Sequence, residues 1–220
     1  MIRGVIFDHD GTLVDSEGLH YAMWDDLLQQ WGVQLSEKEY RTQLAGVPTR
    51  GNVDYLLRHY SQIPLSAEEL FARREQVAVD VFCQQTCDLI DGAQALVEWV
   101  AARQWGMAIA SGASDREVEH TLAEHQLEKY FPVVVTRDSV NRAKPAPDVY
   151  QLAVTKLGLR PAECVAIEDS PTGLQSALAA GLRCLVVQNS YSRGQDFTGA
   201  TALLDSMEEA RQWLQAHAEG

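Results

Sequence analysis

Apolar residues recur with two different periods along the chain, and the change of period divides it. Val5-Ile6-Phe7 is a short unbroken apolar run that stops at Asp8, the pattern of a strand buried on both faces. From Leu19 the period becomes helical: Leu19, Met23, Trp24, Leu27, Leu28 and Trp31 share one face up to Gly32, which predicts an amphipathic helix closed by a C-terminal glycine. Further helices follow without an intervening strand. Ser36 with Glu39, and Ser66 with Glu69, have the spacing of a capping box, in which a hydroxyl and a carboxylate satisfy the free N–H groups of a helix start.

From Asp91 onward helices and strands alternate. The pattern predicts a helix from Leu96 to Ala102, a strand from Met107 to Ala110, a helix opened by Ser114 with Glu117, and a strand from Val133 to Val135. A helix from Pro147 to Leu157 ending at Gly158, a strand from Cys164 to Ile167 and a helix to Ala180 ending at Gly181 come next. The strand Cys184 to Val187 and a terminal helix from Ser206 complete the series. Repeated βα units imply an α/β fold: a parallel Rossmann-like sheet with helices on both faces, joined by right-handed crossovers. Residues 1–15 and 85–220 are expected to form this core. Residues 16–84 then read as an inserted all-helical cap, with hinges near Val14 to Glu17 and Gln84 to Asp91.

A chain of 220 residues with 46% apolar content supports one core with a sizeable insertion. The net charge of −13 repels polyanions, which argues against nucleic acid or an anionic membrane as partner. A small phosphorylated substrate would feel the same repulsion and would need a local cation. No apolar run approaches the length of a membrane span and the first residues do not resemble a signal peptide, so the expectation is a soluble, cytoplasmic protein, taken as a monomer. Cys83, Cys87, Cys164 and Cys184 are scattered; the first two have one-turn spacing, but no Cys/His pair completes a tetrahedral set, and reduced structural thiols are expected.

Four polar clusters fall just after predicted strands, where ligand crevices of open α/β sheets lie. Asp8-His9-Asp10-Gly11-Thr12 follows the first; alone, it reads equally as a strand-ending turn. Ser111-Gly112 precedes a helix, where hydroxyl and backbone N–H groups favour an anion, although Ser-Gly is also a common turn. Lys144 is fixed between a loop and a proline-started helix, a place where a lysine is usually solvated. Glu168-Asp169-Ser170 ends the strand from Cys164, where helix capping would explain it as well. The combination is harder to explain as turns. If Asp8, Asp10 and Asp169 sit about 5 Å apart at an effective dielectric near 20, each pair repels by about 3 kcal/mol, which a divalent cation would relieve. Hard oxygen ligands and a phosphate partner fit Mg²⁺ better than a soft-ligand metal.

Asp8-x-Asp10-Gly11-Thr12, Ser111, Lys144-Pro145-x-Pro147-Asp148 and Glu168-Asp169, in this order and spacing, resemble the motif set of the haloacid dehalogenase-like hydrolases. The helical insertion and Asp15-Ser16-x-x-x-His20-x-x-x-Trp24 resemble the β-phosphoglucomutase-like branch, with its mutases and sugar- or polyol-phosphate phosphatases. His9 stands where such sequences more often carry an apolar residue. The resemblance implies Asp8 as nucleophile toward phosphorus, Asp10 as general acid and base, and Ser111, Gly112 and Lys144 around the phosphoryl oxygens. It implies Mg²⁺ on Asp8, Asp169 and the Asp10 backbone carbonyl, with Glu168 a further acid in or beside the metal site. In the cap, Leu44 to Arg50 resembles the loop that meets substrate. Arg50 is the candidate for a distal contact, and His20 reads equally as a ligand or as a satisfied, partly buried histidine. Arg74 is a lesser candidate, since an arginine on a polar helical face is usually solvated.

The activity so implied is Mg²⁺-dependent hydrolysis of small sugar or polyol phosphates through an aspartyl-phosphate. A phosphomutase using the same nucleophile and a non-catalytic metabolite-binding protein are the alternatives. A dehalogenase is disfavoured, because Asp10 and an acidic metal cluster have no role in metal-free displacement of halide.

Overall fold

In the computed structural model, which describes residues 1–82, 85 and 87–218, the apolar runs form one six-stranded, all-parallel sheet. The strands are β1 (Gly4–Phe7), β2 (Gly106–Ala110), β3 (Val133–Val135), β4 (Cys164–Glu168), β5 (Arg183–Val187) and β6 (Ala202–Leu204), in the order β3-β2-β1-β4-β5-β6. The helices are α1 (Glu17–Gln29), α2 (Glu37–Glu39), α3 (Thr49–His59), α4 (Ala67–Phe82), α5 (Ala93–Ala102), α6 (Asp115–Glu124), α7 (Asp148–Leu157), α8 (Pro171–Ala179) and α9 (Met207–Ala216). No helix among the described residues is long and apolar enough to cross a membrane.

Side-chain alternation sends each central strand into two cores. Val5, Phe7, Ile109 and Ile167 pack with α5, α6 and α9, whereas Ile6, Ala108, Ala166 and Val186 pack with α7 and α8. Both faces are covered, which is why β1 reads as an unbroken apolar run. Helices α1, α3 and α4, with the turn that follows α2, gather around a third apolar cluster of their own, including Trp24, Leu28, Leu44, Leu56 and Leu70. This helical layer lies over the carboxyl end of β1, with which it shares a cavity. The predicted end of the insertion at Gln84, with Cys83, lies outside the described residues; Cys87, Cys164 and Cys184 are free thiols.

Most predicted boundaries agree with the observed ones to within a residue or two. Ser114 and Glu117 form the expected capping box of α6, and Ser66 and Glu69 satisfy each other's N–H groups ahead of α4. α1 ends as regular helix at Gln29, before Gly32, because Val33 N–H returns to Leu28 O across Gly32 at φ +69° in a left-handed terminating turn. α2 does not continue as a regular helix from Ser36: it widens into a π-helical turn, Tyr40–Leu44, closed by Ala45 N–H to Tyr40 O at 2.9 Å. β6 had no signal, being a three-residue edge strand with Leu203 half exposed.

Candidate active site

Phe7 lies level with Ile109 of β2 and Ile167 of β4, so the residues that follow these strands emerge along one edge of the sheet. The strand order reverses at β1, and the crevice of a parallel sheet opens at such a point. Asp8 N–H donates to Ile167 O at 2.9 Å, which extends the ladder one residue and sets Asp8 beside Glu168. A cavity of about 650 Å³ opens here; Asp8, Asp10, Gly112, Lys144 and Asp169 line its floor, and Arg50, Asn52, Arg74 and Glu75 of the helical layer line its roof.

Lys144 is buried among acids rather than solvated. Its Nζ donates to Asp8 Oδ1 at 2.6 Å and to Glu168 Oε1 at 2.5 Å. Tyr150 of α7 donates to the same Glu168 oxygen at 2.7 Å, and Asp169 N–H and Ser170 Oγ each reach Glu168 Oε2 at 3.3 Å. Glu168 is thereby fully buried yet satisfied. Two glycines leave room for this: a Cβ on Gly173 would stand 1.9 Å from Glu168 Oε1, and one on Gly11, at φ +73°, would stand 2.1 Å from Asp169 Oδ2.

Burial pushes the Asp8 carboxyl up to about 7, with Glu168 adding to the effect and Lys144 opposing it. Asp169 is pushed well above the usual range by burial, then by Asp8 and Glu168, against a 2.7 Å hydrogen bond from Asn189 Nδ2. For Lys144, burial favours the neutral amine, but Asp8 and Glu168 outweigh it and keep the ammonium. One ammonium thus faces three carboxylates, Asp8, Glu168 and Asp169, each offering an oxygen within 4.8 Å of the others. A second cation would relieve the residual repulsion, and an all-oxygen donor set suits a hard divalent ion such as Mg²⁺.

Asp10 enters a separate network. Ser16 Oγ donates to Asp10 Oδ1 at 2.7 Å, His20 Nε2 lies 3.4 Å from the same oxygen, and His9 Nδ1 lies 3.3 Å from Oδ2. Arg74 Nη2 donates to His20 Nδ1 at 2.9 Å. A guanidinium only donates, so His20 carries its proton on Nε2, aimed at Asp10. Burial would raise the Asp10 pKa, but His9 and His20 hold it well below the usual carboxylate range. His9, fully buried, is itself raised: burial disfavours its charge, and Asp10 outweighs burial.

Of the other residues singled out in the sequence, Gly112 lines the cavity, while Ser111 is fully buried with its Oγ accepting Ala113 N–H at 2.9 Å. Ser111 itself does not line the cavity, whereas Gly112 and Ala113 after it do. Arg50 reaches the wall of the cavity but forks onto Glu68 at 2.9 and 3.3 Å and covers the Phe71 ring. Arg74 is a correction: it is not solvated but 3% exposed, set over Trp24 and bonded to His20.

The model of the haloacid dehalogenase-like hydrolase family matches residues 5–187. The chain belongs to this family. Its sequence is 32% identical over 185 residues to the fructose-1-phosphate phosphatase YqaB of Escherichia coli, covering 84% of this chain and 96% of that protein. A crystal structure of a CbbY variant from Rhodobacter sphaeroides, in complex with xylulose-(1,5)bisphosphate, superposes with a TM-score of 0.82 at 31% identity, over 95% of this chain and 96% of that one. The β-phosphoglucomutase of Clostridium difficile, 21% identical, shares the fold with a TM-score of 0.81 over 98% of this chain and 96% of the other.

Within this haloacid dehalogenase-like hydrolase, sequence reasoning missed several residues that hold the site. Asn189, which ties Asp169 Oδ2 to the Gly11 carbonyl at 2.7 and 3.2 Å, follows β5 just as the other clusters follow their strands, so its signal was present. Tyr150 lies inside an apolar helical period and gave none. Glu17, buried and accepting Tyr40 OH at 2.7 Å, follows the quoted Asp15-Ser16 pair. Arg137 bridges to Glu75 and was unmarked at either end.

Proposed function

We propose that the chain is a Mg²⁺-dependent phosphatase of small sugar or polyol phosphate monoesters, acting through phosphorylated Asp8. The observation that carries this reading is a buried, partly exposed-to-cavity carboxylate, Asp8, held by Lys144 at the switch point of the sheet. The sugar-phosphate phosphatase YqaB and the sugar bisphosphate bound by the CbbY variant support a phosphorylated sugar as the substrate class.

In the first step an Asp8 oxygen attacks phosphorus while the ester oxygen leaves with the proton of Asp10; in the second, Asp10 takes a proton from the water that attacks the acyl phosphate. In the unliganded chain His9 and His20 favour ionised Asp10. An incoming phosphate brings negative charge that opposes them, and so favours the protonated acid the first step needs. Lys144, the Ser111 hydroxyl and the Gly112 backbone oppose the charge on the phosphoryl oxygens. Glu168 positions Lys144. Asp8, Asp169 and the Asp10 carbonyl would hold Mg²⁺, with Glu168 adjacent, and the ion would supply charge neutralisation at the phosphoryl group. Residues 16–84 serve as a cap that excludes water and selects substrate.

A mutase needs a second cationic cradle for its bisphosphate. Arg50 is engaged by Glu68 and Arg74 by His20, which favours the hydrolase. The test is phosphate release from a panel of phosphorylated metabolites with and without Mg²⁺. Release from sugar or polyol monophosphates only with Mg²⁺ supports the reading; glucose 6-phosphate formed from β-glucose 1-phosphate faster than inorganic phosphate overturns it.

A further inference from the structure

The roof of the cavity carries an ion pair that the proposed chemistry does not use. Arg137, in the turn after β3, forks onto Glu75 of α4, with Nη1 3.3 Å from Oε1 and Nη2 against Oε2. The pair is three-quarters buried, and it lines the same cavity together with Arg74, Glu117 and Asp138. Glu117 Oε2 approaches Arg137 Nη2 at 3.8 Å, and Asp138 Oδ1 approaches Nε at 3.9 Å. Arg137 is therefore surrounded by acid on the core side and gripped by acid from the helical layer.

Two polar atoms nearby are open, one on a neutral amide and one on a guanidinium that shares the acids Glu75 and Glu117 with Arg137. Asn52, 5% exposed, has a buried Oδ1 without a partner. Arg74 keeps an unpartnered Nε while its Nη2 serves His20. One free acceptor and one free donor suit a hydroxylated ligand. A second phosphate needs cations in excess of the local carboxylates, and here Arg74 and Arg137 are matched by Glu75, Glu117 and Asp138.

We propose that Glu75 is a specificity-determining residue: by chelating Arg137 across the cavity it denies that guanidinium to a second phosphoryl group, so the site takes monophosphates with an uncharged, hydroxylated far end and rejects bisphosphates. The selection is by repulsion and by occupation of the cation, not by lack of space. It rests on the phosphatase reading for the identity of the near-end phosphate.

The test uses binding and turnover separately. Calorimetric Kd values for xylulose 5-phosphate and xylulose 1,5-bisphosphate are measured on Asp8→Asn protein, which holds ligand without turning it over, and on the same protein carrying Glu75→Gln, Arg137→Gln or both. Glu75→Gln should improve bisphosphate binding relative to monophosphate by roughly tenfold, since it removes one negative charge beside the second phosphate. Adding Arg137→Gln should abolish that gain, which a merely structural role of the ion pair would not predict. An unchanged ratio in Glu75→Gln, a gain that survives loss of Arg137, or a parent protein that already prefers the bisphosphate overturns the proposal. Phosphate release by protein with Asp8 intact is scored over the panel of monophosphates: its absence from every one of them refutes the phosphatase reading, while the Kd ratios still decide the role of Glu75.

Discussion

Replacing Asp8 by asparagine should stabilise the metal-free protein while abolishing turnover. Asp8 is 6% exposed, and burial together with Glu168 pushes its carboxyl from the 3.8 of an unperturbed aspartate up to about 7, against the pull of Lys144. Between those two values the folded chain keeps a proton that the unfolded chain has released. Stability therefore falls as pH rises through the window and levels off above it. At about 1.4 kcal/mol per pH unit, the ionised side chain destabilises the folded, metal-free state by about 4 kcal/mol at pH 8 and by about 2 kcal/mol at pH 5. Asparagine has nearly the same shape and carries no such charge. In a chain of this length 1 kcal/mol moves Tm by about 2–4 °C, so Asp8→Asn should melt about 8 °C or more above the parent at pH 8, and by about half as much at pH 5. The assay is thermal and urea unfolding in chelator at both pH values. Adding Mg²⁺ should then raise the parent and leave the variant nearly unmoved. An asparagine variant less stable than the parent at pH 8, or a gap that does not change with pH, would refute the electrostatic argument.

Lys144→Met should destabilise the fold by about 3 kcal/mol or more at pH 8, because it strands buried carboxylates. The loss should shrink at pH 6, where Asp8 takes up a proton, and urea unfolding at the two pH values measures it. Gly173→Ala would ordinarily stabilise a helix by about 1 kcal/mol. Here the new Cβ meets Glu168 Oε1 at 1.9 Å, so unfolding should instead show a net loss of about 1–3 kcal/mol, accompanied by reduced kcat as Lys144 is displaced.

The parts of the fold and of the site legible in the sequence are those with a local signature. Strand β1 is an apolar run because both its faces are covered, and the acids after β1 and β4 stand out because a buried strand gives them no other reason to be there. Capping boxes and terminal glycines fixed helix ends to within a residue or two, since their hydrogen bonds span only a few positions. Residues whose meaning is made by packing were not legible. Tyr150 looks like any core aromatic until α7 lies against β4 and its hydroxyl meets Glu168. Arg74 sits on a helix face that the sequence marks as polar, and only the approach of α1 buries it against His20. His9 stands where similar sequences more often carry an apolar residue, yet the strand end places it against Asp10, where together with His20 it lowers that acid's pKa. Arg137 and Glu75 stand 62 residues apart, with α5, β2, α6 and β3 between them, and no local pattern joins them.

The central claim is that Asp8 accepts the phosphoryl group, and acid quenching in the first turnover tests it most directly. Enzyme is mixed with Mg²⁺ and the best substrate of the panel, quenched in acid before the steady state, digested and mapped by mass. A single phosphoryl group, stable in acid and labile in base, is predicted on the peptide containing Asp8, and none in the Asp8→Asn protein. Rapid product formation with no protein-bound phosphoryl at any quench time, or a label mapping to another residue, would contradict it.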